Sequence, residues 1–468
     1  MSDGVDRQHY NVTFVLLAVA ASSFALLQSL VAPALLTIQH DLHTSTAGAA
    51  WILSAYLLSA SVMTPIAGRL GDMFGKKRTM VIVLIVLAAG TLLAALATSI
   101  GVMIVARVIQ GAGGAVFPLS FAIIRDEFPP PRVPHGIALI SVILGIGGGL
   151  GIVLAGPIVE HFSYHWLFWF PLAAVIVAII GIVVFVPESP VRSPGRIDPL
   201  GSVLLAGWLV ALLVAISEGA VWGWASPKTL GLLVAAAVLL PAWVWAESRS
   251  ENPLVDMRMM RVRPVWTTNV AALVLGFGIF ASFVLVPEFV ELPSSSGFGF
   301  GASVTQAGLF LVPATAGMLI AGPISGRLSS TVGSRVPLLV GSLVSCAAFA
   351  FLTVAHSQKW QIYVAMLVMG LGIGFAFAAM ANLIVESVPA TQTGIATGMN
   401  TIVRTIGGAI GAQVSAGIVT ATLSASGEPT ERGFTIAFAA AAVALAIGFV
   451  VALRVPATRP SPAVAEAA

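Results

Sequence analysis

Charge is scarce in this chain. Only 9% of its 468 residues are Asp, Glu, Lys or Arg, where soluble domains carry about 25%, which excludes an ordinary solvated domain. The single cysteine, Cys346, rules out an intramolecular disulfide and a cysteine metal cluster. The seven histidines (9, 40, 43, 135, 161, 165 and 356) all fall near the ends of apolar runs. His161 and His165 are four apart, but beside Phe162 and Trp166 they read as interfacial residues, not as a metal site. No G-x-x-x-x-G-K-[ST] loop occurs, which argues against an ATP-driven machine. There is no Ser/His/Asp cluster within an apolar run, no metal-binding histidine motif and no soluble domain. The chain is therefore not read as an enzyme, and neither a metal nor a cofactor is expected. A net charge of +3 is too small to imply a nucleic-acid partner.

Apolar residues take the place of charge: 58% of the chain is hydrophobic and its mean hydropathy is +1.01. A helix needs about 20 apolar residues to cross a bilayer. Fourteen runs qualify, over 13–37, 48–68, 79–98, 101–123, 136–159, 165–186, 200–219, 228–246, 265–288, 304–326, 336–355, 361–385, 394–422 and 433–453. The glycine-rich runs 5 and 13 are candidates to break. Ala32-Pro33-Ala34 has the form of a signal cleavage site, but its apolar run is long enough to span and further spans follow. With the N-terminus placed in the cytoplasm, seventeen of the 22 Lys and Arg lie inside, three outside (Lys228, Lys359, Arg432) and two within spans (Arg107, Arg404). That bias predicts an even number of spans and two cytoplasmic termini.

An internal repeat organises the spans. PIAGRLGDMFGKK from Pro65 recurs as PISGRLSSTVGSR from Pro323, with 323 − 65 = 326 − 68 = 333 − 75 = 258. A weaker echo pairs VARVIQGAGGAVF from Val105 with VAMLVMGLGIGFAF from Val364. Repeats in a membrane chain point to two related halves around a central site. An offset of 258 is too long for six spans, so two are inserted. The expected division is 1–190 for a first six-helix bundle, 191–263 for a linker and inserted spans 7 and 8, 264–455 for a second bundle, and 456–468 for a cytoplasmic tail.

GRLGDMFGKKR from Gly68 resembles the signature loop of the major facilitator superfamily. ARVIQGAGGA in span 4, AGP in span 5, RIDPLGSVLL opening span 7, NPLVDMRMMR before span 9 and TGIATGMNTIVRTIGGAIGA in span 13 resemble its fourteen-helix drug:proton antiporter family. The resemblance implies an all-α polytopic membrane protein with the major facilitator fold: two six-helix bundles plus two inserted helices, fourteen transmembrane helices in all. It also implies a proton-coupled exporter of hydrophobic or amphiphilic compounds such as drugs or metabolites, working by alternating access. The partners it implies are that small substrate, protons and the lipid bilayer, for a monomer in the bacterial cytoplasmic membrane. Two alternatives stand beside it. A lipid or glycolipid flippase would use the same cavity and gates, and VPESPVR after span 6 is similar to a sugar-porter stretch, which would mean an importer.

The candidate residues follow. Gly68, Arg69, Asp72, Gly75, Lys76, Lys77 and Arg78 are expected to form a gate, since the resemblance implies a cytoplasmic clasp between the halves; a basic topology anchor is the other reading. Arg107 is costly inside a bilayer and should face a polar interior with Gln110 one turn on. In the resembling family an R-x-x-Q-G arginine is linked to proton transfer, and the alternative is a snorkelling side chain. The usual span 1 aspartate is missing, so the candidate proton carriers are acids near helix ends, Asp41, Glu160, Glu218, Glu288 and Glu386. Glu288 and Asp41 are singled out, and the other reading of Glu288 is an interfacial acid that marks the boundary. Gly151, Gly156 and Pro157 are candidates for a bend or tight packing in span 5, although Glu160 and His161 stand where the family has a glycine pair. Gln28, Asn269, Gln306, Asn382, Asn400 and Arg404 are the polar residues expected at a substrate cavity, or else at helix contacts. Arg404 would attract an anionic substrate or pair with Glu386. Phe277, Phe280, Phe283, Phe375, Phe377, Met366, Met369 and Met380 would suit an apolar pocket or a lipid-facing surface.

Overall fold

The computed structural model describes residues 10–189, 191, 198–423 and 429–456. Residues 457–468 of the expected tail and residues 192–197 of the linker, with Arg192 and Arg196, lie outside that range. The described elements are helical, and fourteen helices are long and apolar enough to cross a membrane.

The first expected span divides in two. α1 (Tyr10–Ser29) stops early and a short α2 (Leu35–Asp41) follows. Pro33 lies between them; it lacks an N–H and biases Ala32 away from helix, so the run cannot continue to residue 37. α3 (Thr46–Phe74) begins on Ser45, whose hydroxyl accepts the Gly48 N–H, and ends at Gly75, where φ is 111°, a conformation that suits glycine. α4 (Lys76–Ala95) starts at once.

The fourth expected span is also interrupted. α5 (Ile100–Gln110) tightens into a 3₁₀ turn over Gly111–Ala115 before α6 (Val116–Glu127). All five turn residues are Gly or Ala, and a Cβ on Gly111 would come within 2.4 Å of Ser59 Cβ on α3. Small residues here let two backbones approach closely. α7 (Val133–His161) and α8 (Trp166–Phe185) complete the first six spans. The glycine-rich α7 is continuous through Gly151, Gly156 and Pro157. A Cβ on Gly151 would fall 1.9 Å from Ser29 Oγ, and that hydroxyl donates to the Gly147 carbonyl at 2.7 Å, so this face locks α7 against α1.

The inserted pair is α9 (Pro199–Trp222) and α10 (Pro227–Arg249), capped by Asp198 and Ser226. A short α11 (Met257–Arg261) leads to α12 (Arg263–Glu291), α13 (Val304–Val332), α14 (Arg335–Val354), α15 (Lys359–Ser387), α16 (Thr393–Thr420) and α17 (Glu431–Ala452). α16 is continuous despite its glycines.

One apolar core runs from Leu17 to Val186, with Ala381 and Val385 reaching into it; a second runs from Ala271 to Val455. The two are joined where α3 packs on α16 and α7 on α13. The inserted hairpin rests outside this seam, with α9 touching both α3 and α16. Only 22% of the apolar window of α10 is buried, against 72% for α15, which puts α10 at the rim and α15 at the centre. Outward-facing Val177, Ile180 and Val184 on α8, and Val234 and Val238 on α10, form the apolar exterior that a bilayer covers.

Candidate functional site

At the end where α3 meets α4, the two halves are tied by polar bonds. The buried Asp72 carboxylate lies at the N-terminus of α16 and accepts the N–H groups of Gly394 (3.3 Å) and Ile395 (3.2 Å). Helix N-terminal N–H groups have no partner within their own helix and carry partial positive charge, so a carboxylate stabilises them. Gly68 lets the crossing close: a Cβ there would stand 2.6 Å from the Gly394 carbonyl oxygen. Arg125 Nη1 donates to Thr393 Oγ1 at 2.7 Å, Asn382 Nδ2 to the Pro134 carbonyl at 3.1 Å and Lys76 Nζ to the Ala390 carbonyl at 3.4 Å, so with Asp72 four side chains span the seam.

The basic loop residues do different jobs. Lys76 is fully buried and pairs with Asp126 at 2.5 Å, and Asp126 also accepts the Ser189 hydroxyl. Arg69 is buried nearby. Lys77 Nζ donates to the Val183 carbonyl at 3.0 Å, while the Arg78 side chain faces outward. Glu188 accepts the backbone N–H groups of Lys77 (3.1 Å) and Arg78 (3.0 Å), capping α4. The PES stretch that is similar to a sugar-porter motif is thus a helix cap here. Asp126, Arg125, Glu188 and Thr393 were not among the expected gate residues. A buried lysine needs a carboxylate, and the acidic pair Asp126–Glu127 ending span 4 was the available signal.

Arg107 is fully buried and does not reach for an interface. Its Nε donates to the Ile52 carbonyl (3.1 Å) and its Nη1 to the Leu27 carbonyl (3.1 Å) and Gln110 Oε1 (2.8 Å). Gln110 Nε2 donates in turn to Thr91 Oγ1 at 3.1 Å, so α1, α3, α4 and α5 meet on one guanidinium. The Tyr56 ring lies 4.0 Å from its Cζ, and Nη2 is buried without a hydrogen-bond partner among the described residues.

Arg107 and Arg404 line the same cavity, about 440 Å³ between the halves. Gln28, Phe280, Phe283, Phe377, Met366 and Met369 line it as well. Phe277, Phe375 and Met380 do not, and Met380 is packed fully inside α15's core contacts. Arg404 Cζ sits 4.4 Å from the Phe377 ring centroid, and no ion pair joins it among the described residues. Glu386, its expected partner, accepts the Ser334 hydroxyl at 2.8 Å.

The other expected cavity residues lie elsewhere. Asn400 Nδ2 donates to Asn269 Oδ1 at 2.9 Å, joining α16 to α12, and Asn400 borders only a small niche beside Arg404. Asn382 serves the seam. Gln306 is exposed and forms a reciprocal capping box with Ser303 at the start of α13, so its amide is held by a helix end. Glu288 is half-buried in the last turn of α12, outside the cavity lining. Asp41 is exposed on α2, with His40 Nδ1 3.6 Å from its Oδ1.

A clasp at one end and a polar-tipped apolar cavity between two helical halves are the parts of a transporter, and known proteins agree. The chain is 29% identical over 388 residues to the tetracenomycin C resistance and export protein of Streptomyces glaucescens, covering 82% of this chain and 71% of that one. It is 28% identical over 367 residues to the multidrug resistance protein B homolog of Mycobacterium tuberculosis (strain ATCC 25618 / H37Rv), covering 76% of this chain and 66% of that one. The crystal structure of the human organic anion transporter MFSD10 (TETRAN) superposes with a TM-score of 0.69 at 17% identity, over 96% of this chain and 100% of that one, and shows the same fold. The sequence profile of the Major Facilitator Superfamily matches residues 17–412 and 300–468, and the chain belongs to that superfamily.

Proposed function

We propose that the chain exports hydrophobic or amphiphilic compounds across the cytoplasmic membrane in exchange for protons, by alternating access. The observation that carries this reading is the Asp72 carboxylate seated on the N-terminus of α16, a bond between halves that must break for the seam to open. With both termini cytoplasmic, as the excess of Lys and Arg at that end implies, the clasp closes the cytoplasmic side and the cavity belongs to the outward-facing state. Rocking of one half against the other would release Asp72 and expose the same cavity inward. Relatives named for tetracenomycin C export and for multidrug resistance support the direction and the kind of cargo.

One proton moving inward down 100 mV supplies about 2.3 kcal/mol, enough for roughly fifty-fold accumulation of a neutral compound. Arg107 with Gln110 would act as the fixed cation and amide that organise the pathway, since an arginine does not itself give up a proton. Glu288 is the proposed proton carrier, being half-buried where Asp41 is solvated. Dye uptake into energised inside-out vesicles, the direction that corresponds to export from the cell, abolished by a protonophore, is the expected result. Export that survives the protonophore would remove proton coupling, and lipid scrambling without dye transport would favour a flippase. If Glu288→Gln still exchanges dye for protons, another acid carries them.

A further inference from the structure

The charged side chains lining the central cavity are two arginines, Arg107 and Arg404, and no Asp, Glu or Lys lines it among the described residues. Their guanidinium groups are not equivalent. That of Arg107 is committed through Nε and Nη1 to two backbone carbonyls and Gln110, and to the Tyr56 ring, with Nη2 alone left unpartnered among the described residues. That of Arg404 has the face of Phe377 and, among the described residues, no ion pair. Beside it, a small niche that shares Phe117, Phe377, Thr401 and Arg404 with the cavity lining is edged by neutral polar groups: Ser141, Thr397, Asn400 and Thr401. A cation facing a largely apolar cavity without a counter-ion is less well solvated than in bulk water, and an arriving anion relieves that cost where a second cation would add to it.

We infer that the cavity selects amphiphiles bearing one anionic group, a carboxylate, sulfonate or phenolate, seated on Arg404, with the apolar body over Phe280, Phe283, Met366 and Met369. This rests on the exporter reading and narrows its cargo. A planar guanidinium presents paired donors that match the two oxygens of a carboxylate or sulfonate. Sulfur and aromatic side chains accept varied apolar shapes, and about 440 Å³ falls within the roughly 300–1,000 Å³ of small-molecule sites. An exported monoanion also moves with an inside-negative potential, which at 100 mV favours it outside by roughly fifty-fold.

The test uses the full chain in nanodiscs of neutral phosphatidylcholine and two xanthene dyes of opposite charge, fluorescein and rhodamine 6G, with binding read by fluorescence anisotropy. Fluorescein is expected to bind at least tenfold more tightly. Arg404→Gln should lose tenfold or more of that affinity without weakening rhodamine 6G, and Arg404→Lys should retain part of it. Equal binding of the two dyes, or unchanged fluorescein affinity in Arg404→Gln, overturns the inference. Should Arg404→Gln fail to fold, the charge preference of the unmodified chain and the Arg404→Lys affinity decide. Vesicle export separates the two readings. A fluorescein preference in binding without export of either dye defeats the exporter reading alone, and export without charge preference defeats the anion inference alone.

Discussion

Replacing Asp72 by Asn removes the charge from the clasp while keeping its size. The carboxylate now accepts two N–H groups at the start of α16 from a site that is 1% exposed. Hydrogen bonds to a charged group contribute about 1.5–3 kcal/mol each and neutral ones about 0.5–1.5. An amide has one acceptor oxygen, so Asp72→Asn keeps one neutral bond, loses the other and turns an NH₂ toward a donor. The closed seam should weaken by about 2–4 kcal/mol, a shift of roughly 30- to 700-fold in the closed-to-open ratio. A seam closed about 99% of the time would then be open in roughly a quarter of molecules at the smaller shift and in most of them at the larger. Nitroxide labels on Phe74→Cys and Thr391→Cys, in a Cys346→Ser background, sit on opposite sides of it: Phe74 ends α3 and is exposed, and Thr391 lies in the turn before α16. Pulsed electron resonance should show one short distance in the parent and a long-distance population in Asp72→Asn, with efflux impaired and membrane expression retained. An unchanged distance distribution, or normal efflux, would refute the clasp.

Arg107→Lys should cost about 2–4 kcal/mol of stability, because one ammonium cannot serve the Leu27 and Ile52 carbonyls and Gln110 together; thermal unfolding in detergent reads it, and an unchanged midpoint would show the network to be slack. Glu247→Gln should lower stability by about 1–2 kcal/mol, since Glu247 accepts Trp243 Nε1 and the Val255 N–H at 3.1 Å each and so ties α10 to the linker. Limited proteolysis near residue 250 should quicken in that variant while dye binding persists. Gln306→Ala should remove the reciprocal half of the capping box, the Ser303 N–H to Gln306 Oε1 bond, at about 0.5–1.5 kcal/mol and leave substrate affinity unchanged, where a cavity residue would alter affinity.

The spans and their number were legible because crossing a bilayer needs long apolar runs, and hydropathy registers those without tertiary information. The interruptions were harder. Pro33 signalled the end of the first span, but its apolar surroundings carried the run past Ala34. The 3₁₀ turn at Gly111 answers to Ser59 on another helix, a contact no local pattern holds. Polar partners were least legible of all. Lys76 and Asp126 are 50 residues apart in sequence, and Asn269 and Asn400 131 apart, and each pair is matched only after the bundle forms. Gln306 differs, because Ser303-x-x-Gln306 is a local capping signature overshadowed by the apolar run around it.

The duplication explains why the clasp has one charged side. Gly68 meets the Gly394 backbone across the seam, and Gly326 (326 − 68 = 258) meets His135 in the same way, so the close approach is kept in both halves. Lys76 pairs with Asp126 within the first half, and Ser334 (334 − 76 = 258) donates to Glu386 within the second, an ion pair answered by a neutral donor. Asp72 crosses the seam, but Ser330 (330 − 72 = 258) is half-buried and donates back to the Arg327 carbonyl of its own helix. The α7 that Ser330 would have to cap begins Val133-Pro134, so one of its first N–H groups is absent. A second carboxylate crossing would roughly double what Asp72 contributes, to about 4–8 kcal/mol, beside the Arg125 and Lys76 bonds that already cross. A single proton moving down 100 mV supplies about 2.3 kcal/mol, which could not break two such crossings. Only the lower end of the about 2–4 kcal/mol from Asp72 alone lies within reach of that drive. Restoring the carboxylate with Ser330→Asp, together with Pro134→Ala to supply its donor, should therefore slow transport while leaving fluorescein affinity intact, and faster transport would show that the asymmetry serves some other end.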